Sequence, residues 1–341
     1  MDLPETVQDL PPRWAHFYLE VEAFVFRELG LDLAEKKLLI ALSGGVDSTA
    51  LLILARIFQK RWGNDLIAAH LNHKLRPDAD LEEQENKKLC EKLSLPHYIG
   101  RSNVAVYSRK LNLGLEQGAR KLRYSFLNSL CRKHACDFIL TAHHLNDLAE
   151  DFLLRQLRGA GWPSIAGMQA HEPESGILRP FLLFPKQELQ GLVEYTGLSW
   201  QEDESNLDTR FKRNRMREEI LPLFCRENPN FLQRVKQLWR QARLDQDYWE
   251  EQLREKKNRE KQSSNSCYIA RQALEECHPA LRLRWYKDIL SRLGSGQVLA
   301  ENLSQLDAAW QNGTGGKVIQ FPGNKRAKIL KKGILFYLQM D

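Results

Sequence analysis

The feature that most constrains the fold is an alternation of short apolar segments with longer, helix-like segments. Short apolar strands separated by helices predict βαβ units, and therefore a parallel sheet with helices on both faces. The predicted order is strand 37–42, helix 48–61, strand 65–71, helix 79–93, strand 96–100, helix 116–134, strand 137–142 and helix 145–158. Ligands of such α/β sheets bind beyond the carboxyl ends of the strands. Ser43, His70 and His143 fall at or just past predicted strand ends.

The last third of the chain has a different pattern. Helices are predicted over 230–261, 279–293 and 298–311, with a polar connection at 256–266 and short strands VIQF, AKIL and ILFYL between 318 and 338. At roughly 100–200 residues per domain, 341 residues suggest two domains. We therefore predict an α/β domain over residues 1–218, followed by a smaller, mostly helical domain over residues 219–341.

Charge is distributed unevenly between these two parts. Residues 1–218 carry 29 Lys and Arg against 30 Asp and Glu, whereas residues 219–341 carry 21 against 14. A basic second part suits a polyanion-binding unit joined to a near-neutral catalytic unit. A solvated helical surface that happens to be basic explains the charge equally well.

Composition excludes two classes of protein. With 43% hydrophobic residues the chain can bury a core, which excludes a wholly disordered protein. No stretch reaches the roughly 18 uninterrupted apolar residues of a membrane helix. The beginning of the sequence, MDLPETVQDLPPRW, lacks the basic and apolar regions of a signal peptide, so we expect a cytoplasmic protein.

A glycine-containing string lies between the first predicted strand and the first predicted helix. It consists of Ser43, Gly44, Gly45, Val46, Asp47 and Ser48, followed by Thr49. Two glycines allow a tight turn and close approach to an anion, and a helix N-terminus offers free N–H groups. The string matches neither GxxxxGK[ST] nor GxGxxG. It predicts a pyrophosphate cradle, with an ordinary glycine turn and serine cap as the weaker alternative.

This string resembles the PP-loop of the N-type ATP pyrophosphatases, which cleave ATP to AMP and pyrophosphate. Three further strings resemble motifs of the tRNA(Ile)-lysidine synthetase family: LEQGARKLRY at 115–124, TAHHLNDLAE at 141–150, and EDESN at 202–206 with the arginines that follow it up to Arg217. Together they cover about residues 36–225. Asn146 stands where the family usually has Asp, and Asp151 replaces a usual Thr.

The resemblance implies a Rossmann-like PP-loop ATPase domain followed by a smaller helical domain. It also implies a ligase reaction, in which ATP activates cytidine 34 of a tRNA(Ile) with a CAU anticodon and free L-lysine then displaces AMP. The implied cofactors are ATP and Mg²⁺, and the implied partners are that tRNA and lysine, with no membrane. The sequence leaves the oligomeric state open, a homodimer included.

The resemblance and the residue chemistry together assign the ATP site. The predicted ATP-binding residues are Ser43, Gly44, Gly45, Val46, Asp47, Ser48 and His143, and the predicted catalytic residues are Asp47, Arg120 and Arg123. Arg120 and Arg123 lie three apart on one helix and can face the triphosphate or the charge that develops on the α-phosphate. The alternatives are a solvated helix face for the arginines, a core or N-cap position for His143 and a helix cap for Asp47.

Asp147 and Glu150 are the predicted metal ligands. With Asp151 they lie at i, i+3 and i+4, so they share one helix face and can hold Mg²⁺ with ATP oxygens and water. The alternative is that acids simply suit the first turn of a helix.

Lysine and tRNA sites are predicted near the domain junction. Candidate lysine contacts are Glu116, Asp203 and Glu204; candidate tRNA contacts are Arg210, Lys212, Arg213, Arg215 and Arg217. The aromatics Phe211, Trp239, Tyr248 and Trp249 are nearby, and cations beside rings suit single-stranded RNA. A charged linker, with the tryptophans in a core, is the alternative.

Two other functions compete with this one. A tRNA thiolase of the same superfamily would typically need a reactive cysteine, often in a CxxC pair, and none of the six cysteines forms one. A noncatalytic RNA-binding protein with a degenerate nucleotide site would not need the intact SGGVDS string.

Overall fold

The computed structural model describes residues 4–74, 79–201 and 212–339. Contacts between residues divide the chain into two compact units. Unit 1 comprises Met1–Ala160 and Ile165–Gln237, and unit 2 comprises Gly161–Ser164 and Leu238–Asp341. The division falls inside a long helix, Phe231–Lys257, later in the chain than the predicted boundary after residue 218.

Unit 1 contains the predicted alternation of strands and helices. Its strands are β1 (Lys37–Ala41), β2 (Asp65–Asn72), β3 (His97–Arg101), β4 (Phe138–Leu140), β5 (His171–Glu172) and β6 (Ile177–Leu178). Its helices are α1 (Pro12–Ala23), α2 (Val46–Trp62), α3 (Ala79–Lys92), α4 (Val104–Lys110), α5 (Leu115–Lys133), α6 (Leu145–Leu157), α7 (Lys186–Thr196), α8 (Lys212–Arg215), α9 (Leu221–Glu227) and the first part of α10 (Phe231–Lys257). The four predicted strands and four predicted helices of the first half are confirmed, with ends within two residues.

The strands of unit 1 form one sheet in the order β3-β2-β1-β4-β6-β5. All neighbouring pairs are parallel except β5 with β6. From β1 the chain first builds outward through β2 and β3, and then returns to add β4 on the other side of β1. The carboxyl ends of β1 and β4, where this change of direction occurs, are the usual ligand position in such sheets.

Helices cover both faces of the sheet at β1. Leu39 belongs to an apolar cluster with Leu127 and Leu130 of α5. Its neighbours Leu38 and Ile40 point to the opposite face, because side chains alternate along a strand, and both are fully buried. The sheet is therefore closely packed on both faces at β1.

Unit 2 combines helices with an antiparallel sheet. The helices after α10 are α11 (Arg271–Glu275), α12 (Pro279–Leu293) and α13 (Ala300–Gln311); the strands are β7 (Glu260–Ser263), β8 (Ser266–Ala270), β9 (Val318–Phe321), β10 (Lys325–Leu330) and β11 (Gly333–Leu338). The sheet order is β7-β8-β11-β10-β9. Trp285 and Tyr286 of α12 pack with Ile269 and Phe336 of the sheet in one core.

One local prediction is wrong. The predicted polar connection at 256–266 is largely a hairpin of β7 and β8, and helix α10 ends at Lys257 instead of residue 261. Strand β7 lies at the sheet edge and exposes most of its polar side chains, so it lacks the apolar alternation by which strands are recognised. Within the described ranges, each helix is too short or too polar to cross a bilayer.

Candidate active site

The glycine loop after β1 has a shape that only glycine permits. Gly44 adopts a φ of 95°, and a Cβ atom at this position would lie 2.9 Å from the side-chain nitrogen of Asn86. Left-handed backbone and close packing together require a residue without a side chain here.

The hydroxyl of Ser48 braces the same loop. Its Oγ accepts hydrogen bonds from the backbone N–H groups of Ser43 at 3.2 Å and Gly44 at 3.1 Å, and it donates to the carbonyl of Gly45 at 3.0 Å. The Ser48 side chain is buried, so these bonds hold the turn that leads into α2.

The N-terminus of α2 has no side-chain cap. Gly45 is the N-cap residue and contributes no capping hydrogen bond. The first N–H groups of a helix need an acceptor, and an anion is a suitable one. The six predicted loop residues thus lie together at an anion-binding helix end, and their contact with ATP stays a prediction.

Two acidic residues from different elements meet at His144. The carboxylate oxygen Oδ2 of Asp47, in the first turn of α2, lies 3.6 Å from Nε2 of His144. His144 is also the N-cap of α6: its Nδ1 accepts from the N–H of Asp147 at 3.3 Å, while its own N–H donates to Asp147 Oδ2 at 3.1 Å. The second carboxylate oxygen of Asp47 is buried and has no hydrogen-bond partner among the described residues.

The adjacent histidines 143 and 144 differ in their ionisation. Burial lowers the pKa of His143 well below its usual value, so this ring is neutral near pH 7. Burial also disfavours the charged form of His144, but Asp147 and Asp47 outweigh burial and raise its pKa. Of the two adjacent histidines, His144 is therefore the one whose charged form its surroundings favour, and sequence reasoning did not select it.

Asp147 and Glu150 on α6 are bound by two arginines. Arg217 donates from Nε to Glu150 Oε1 at 2.7 Å and from Nη2 to Asp147 Oδ1 at 3.2 Å. Arg213 donates from Nε to Glu150 Oε2 at 3.1 Å and from Nη2 to Asp147 Oδ1 at 3.2 Å. Burial alone would raise the pKa of Asp147, but His144 and the two arginines hold it well below its usual value.

This arrangement limits where Mg²⁺ can bind. All four carboxylate oxygens of Asp147 and Glu150 already accept hydrogen bonds, and two guanidinium groups balance the two negative charges. Mg²⁺ would fit this pair only after a guanidinium has moved. The described residues contain no group of three or more His, Cys, Asp or Glu side chains placed to hold a metal ion. Asp47 Oδ1 is the one carboxylate oxygen of this cluster without a hydrogen-bond partner among the described residues, but it is buried, so a cation would reach it only after its surroundings have moved.

Arginines surround Tyr124 on helix α5. The guanidinium carbons of Arg120 and Arg123 lie 4.9 and 5.4 Å from the centre of its ring. Burial lowers the pKa of Arg123, as expected for a cation withdrawn from water. This position fits the predicted role beside phosphate groups, which stays a prediction.

Arg179 is a buried cation that the sequence analysis missed. It follows β6, is 1% exposed, and donates to the carbonyl of Gln169 and to Glu172, each at 2.6 Å. Its Nε has no partner among the described residues. The only sequence signal was an arginine after two apolar residues, because β6 is two residues long.

The remaining predicted site residues have varied positions. Glu116 and Lys212 are exposed, and Arg215 is half-buried. Asp203, Glu204, Arg210 and Phe211 lie outside the described residues. The unusual Asn146 accepts a hydrogen bond from the N–H of Lys186 at 3.1 Å, at the first residue of α7. The unusual Asp151 pairs with Arg155 at 2.8 Å.

Comparisons with known proteins agree with this geometry. Residues 19–224 match the family described as a PP-loop domain. A tRNA(Ile)-lysidine synthase from Nitratidesulfovibrio vulgaris is 38% identical over 314 residues, which cover 87% of this chain and 90% of that protein. The chain belongs to the tRNA(Ile)-lysidine synthase family. A second member of this family, from Petrotoga mobilis, is 35% identical over 230 residues, covering 67% of this chain and 72% of the relative.

A solved structure supports the fold of this chain. The U34-tRNA thiolase NcsA from Methanococcus maripaludis matches with a TM-score of 0.56 and 18% identity, covering 66% of this chain and 78% of the thiolase. At this identity the likeness concerns the fold alone. The predicted α/β PP-loop fold with a helical C-terminal region is confirmed.

Proposed function

We propose that this chain forms lysidine on a tRNA(Ile) with a CAU anticodon, using ATP and free L-lysine. The observation that carries the proposal is the match to a tRNA(Ile)-lysidine synthase over 87% of the chain. In the first step the C2 oxygen of cytidine 34 attacks the α-phosphate of ATP and pyrophosphate leaves. In the second step the ε-amine of lysine attacks C2 and AMP leaves.

The loop after β1 and the arginines of α5 suit the first step. The uncapped end of α2 can bind phosphate oxygens, and Arg120 and Arg123 can balance the charge that develops on the α-phosphate. His143, neutral and beyond β4, can contact the nucleotide without adding charge.

Mg²⁺ would supply charge compensation for the phosphates in this step. Asp47 Oδ1, which has no hydrogen-bond partner among the described residues, could be a ligand for it once this buried oxygen is exposed. Asp147 and Glu150 remain the predicted ligands and would have to exchange an arginine contact for the metal. His144 would hold Asp47 in place beside α6 through the contact of its Nε2 with Asp47 Oδ2.

The second step needs a proton acceptor. At pH 7 an amine with a pKa near 10.4 is deprotonated only about 0.04% of the time, which corresponds to about 4–5 kcal/mol. The site must therefore remove a proton from the ε-ammonium group of lysine or lower its pKa. Glu116, Asp203 and Glu204 remain the proposed contacts that attract the ammonium group.

The basic second part of the chain suits tRNA. Residues 219–341 carry the excess of Lys and Arg over Asp and Glu, and phosphate contacts supply much of the affinity for nucleic acid. Trp239 is buried and Trp249 packs against the unit 2 core, whereas Tyr248 is 53% exposed and can stack on a base. Arg210, Lys212, Arg213, Arg215 and Arg217 stay proposed tRNA contacts, although Arg213 and Arg217 bind carboxylates in this structure.

Mass spectrometry of the tRNA tests the proposal directly. The full chain is incubated with ATP, Mg²⁺, isotopically labelled lysine and tRNA(Ile) bearing CAU, and nucleoside 34 is analysed. We expect labelled lysidine with this tRNA and none with a methionine tRNA of the same anticodon. ATP–pyrophosphate exchange without lysine transfer, or sulfur at position 34, would contradict the proposal.

A further inference from the structure

The antiparallel sheet of unit 2 packs one of its faces on helices. Its inward-facing side chains, among them Ile269, Ile329 and Phe336, share an apolar core with Leu290 of α12 and Leu306 of α13. Side chains alternate along a strand, so the residues between these positions point to the other face. We call this the outer face and define it by six exposed or half-buried residues outside the core cluster: Lys261, Tyr268, Arg326, Lys328, Leu335 and Tyr337.

The strand register arranges part of the outer face as a row with a lysine at each end. Residues opposite one another on neighbouring strands lie side by side on the same face. In order across β10, β11, β8 and β7, the members of this row are Lys328, Leu335, Tyr268 and Lys261. The row therefore crosses four strands, with apolar and aromatic side chains between the two cations.

Acidic residues of this part of the chain lie away from the outer face. Glu260 is the one acid in the five strands; it points to the core and accepts a hydrogen bond from Nε1 of Trp285 at 2.7 Å. Four acids on or next to the helices pair with arginines at 2.5–2.9 Å: Glu275 with Arg271, Glu276 with Arg259, Asp288 with Arg292 and Asp307 with Arg282. Lys261, Arg326 and Lys328 form no ion pair within the described part of the chain. The positive charge of the outer face is therefore uncompensated.

Two tyrosines lie among these cations. The hydroxyl of Tyr268 donates to the backbone carbonyl of Lys332 at 2.5 Å, which holds the ring toward the turn between β10 and β11. This turn carries two exposed lysines, Lys331 and Lys332. In the neighbouring row, Tyr337 lies opposite Arg326. Cations beside exposed ring surface suit a nucleic acid, because phosphates bind the cations while a sugar or an unpaired base packs on the ring.

We propose that the outer face of the unit 2 sheet binds the phosphate backbone of the tRNA, an inference that rests on the proposed function. Lys261, Arg326 and Lys328 contact phosphates, and the lysines of the β10–β11 turn extend the same contact. An acidic protein would match the charge as well, but tRNA is the polyanion that the proposed reaction requires. Phosphate contacts hold the tRNA in register without reading its sequence, so this surface supplies affinity and not the choice of anticodon.

A matched pair of single variants tests the surface. Lys328→Gln removes a cation from the outer face, and Lys287→Gln removes an exposed cation from α12 on the helical side of unit 2. Binding of full-length protein to unmodified tRNA(Ile) is measured over a series of salt concentrations. We expect Lys328→Gln to lower the slope of log affinity against log salt by about 1, and the double variant Arg326→Gln/Lys328→Gln by about 2, with affinity at least about 10-fold weaker in the double variant. Lys287→Gln should match the wild type.

Turnover distinguishes a binding surface from a catalytic one. At saturating tRNA the double variant should adenylate at close to the wild-type rate, with a raised KM for tRNA. Wild-type affinity and salt slope in the folded double variant, or an equal loss in Lys287→Gln, would overturn the proposal, and would leave the outer face to a protein partner. A wild-type chain that makes no lysidine contradicts the proposed function, whereas the binding series still decides whether this face holds tRNA.

Discussion

The two units of this chain treat buried polar groups differently. In unit 2, the buried pair Arg282 and Asp307 is fully satisfied: Asp307 also accepts from Tyr286 and Gln311, and Arg282 also donates to backbone carbonyls. In unit 1, buried atoms of Asp47, Tyr124 and Arg179 have no partner among the described residues. All unpartnered buried side-chain atoms found in the described ranges belong to unit 1.

The difference singles out the unpartnered buried atoms at the carboxyl edge of the unit 1 sheet as candidates for ligand contacts. A buried polar network whose members satisfy one another stabilises one conformation of a core. A buried polar atom without a partner costs free energy and calls for an explanation, of which a ligand is the common one at a catalytic site. Asp47 and Arg179 follow strands β1 and β6 at the carboxyl edge, where ligands of such sheets bind.

Replacing Asp307, the acid of the buried Arg282–Asp307 pair, should have the largest effect of the changes considered. We expect this effect on stability alone. Asp307→Asn leaves the buried guanidinium of Arg282 without its counter-charge, which we expect to lower the free energy of unfolding of unit 2 by about 3–5 kcal/mol. Denaturant unfolding followed by tryptophan fluorescence measures this. ATP–pyrophosphate exchange per folded molecule should be unchanged at low temperature, and a large specific loss of exchange would break the comparison.

The same Asp-to-Asn change at Asp47 of unit 1 should lower activity rather than stability. Asp47→Asn keeps the shape of the side chain and removes its charge, which contacts His144 at 3.6 Å while Oδ1 has no partner, so stability should fall by much less than in Asp307→Asn. Adenylation should fall by about 10²–10³-fold, as for loss of one preorganised electrostatic group. Exchange assays beside thermal unfolding check this. An unfolded variant, or one with normal exchange, would show that Asp47 is a structural residue.

Glu150→Gln sharpens the comparison at an acidic pair of unit 1, Asp147 and Glu150, whose oxygens all have hydrogen-bond partners. If Mg²⁺ replaces an arginine there, the Mg²⁺ concentration for half-maximal adenylation should rise at least about 10-fold. Asp151→Asn, which lies one residue away and pairs with Arg155, is the control and should leave that concentration unchanged. Unchanged Mg²⁺ dependence with lower activity would mean that Glu150 serves to anchor Arg213 and Arg217.

His144→Asn tests the contacts of His144 with Asp47 and Asp147. Because the pKa of His144 is raised on folding, its charge stabilises the folded state below the ordinary histidine pKa, and this stabilisation is lost as pH rises through the folded-state pKa. Asn keeps the N-cap but cannot ionise. The wild-type Tm should therefore fall relative to that of the variant between pH 6 and pH 9; parallel profiles would contradict this.

The smallest effect is expected for Asn146→Asp. Asn146 Oδ1 accepts from the first N–H of α7, and a carboxylate oxygen can accept the same bond while suiting a helix N-terminus. Unfolding free energy should change by less than about 0.5 kcal/mol, and activity should be retained. A large loss of adenylation in this variant would show that the uncharged residue is needed in this chain.

Local patterns predicted much of the site. The loop at 43–48 and the helices α5 and α6 were placed correctly, because each motif lies within one strand–loop–helix segment. Arg179 was missed, because a strand of two residues carries no periodicity. The pairing of Arg217 with Glu150 was also missed. The two residues are 67 positions apart, and the charge of each suggested a different partner: a metal ion for Glu150 and tRNA for Arg217.

The sequence by itself determined the fold class, the glycine loop and the family, because these depend on residue type, spacing and order. Only the tertiary structure decided how side chains of the same type ionise. His143 and His144 are adjacent, yet their pKa values shift in opposite directions, because two carboxylates flank only His144. Tyr18 and Tyr124 both bury a hydroxyl, yet only Tyr124 lies among arginines. Ionisation depends on burial and on neighbouring charges, and folding brings those neighbours from distant parts of the chain.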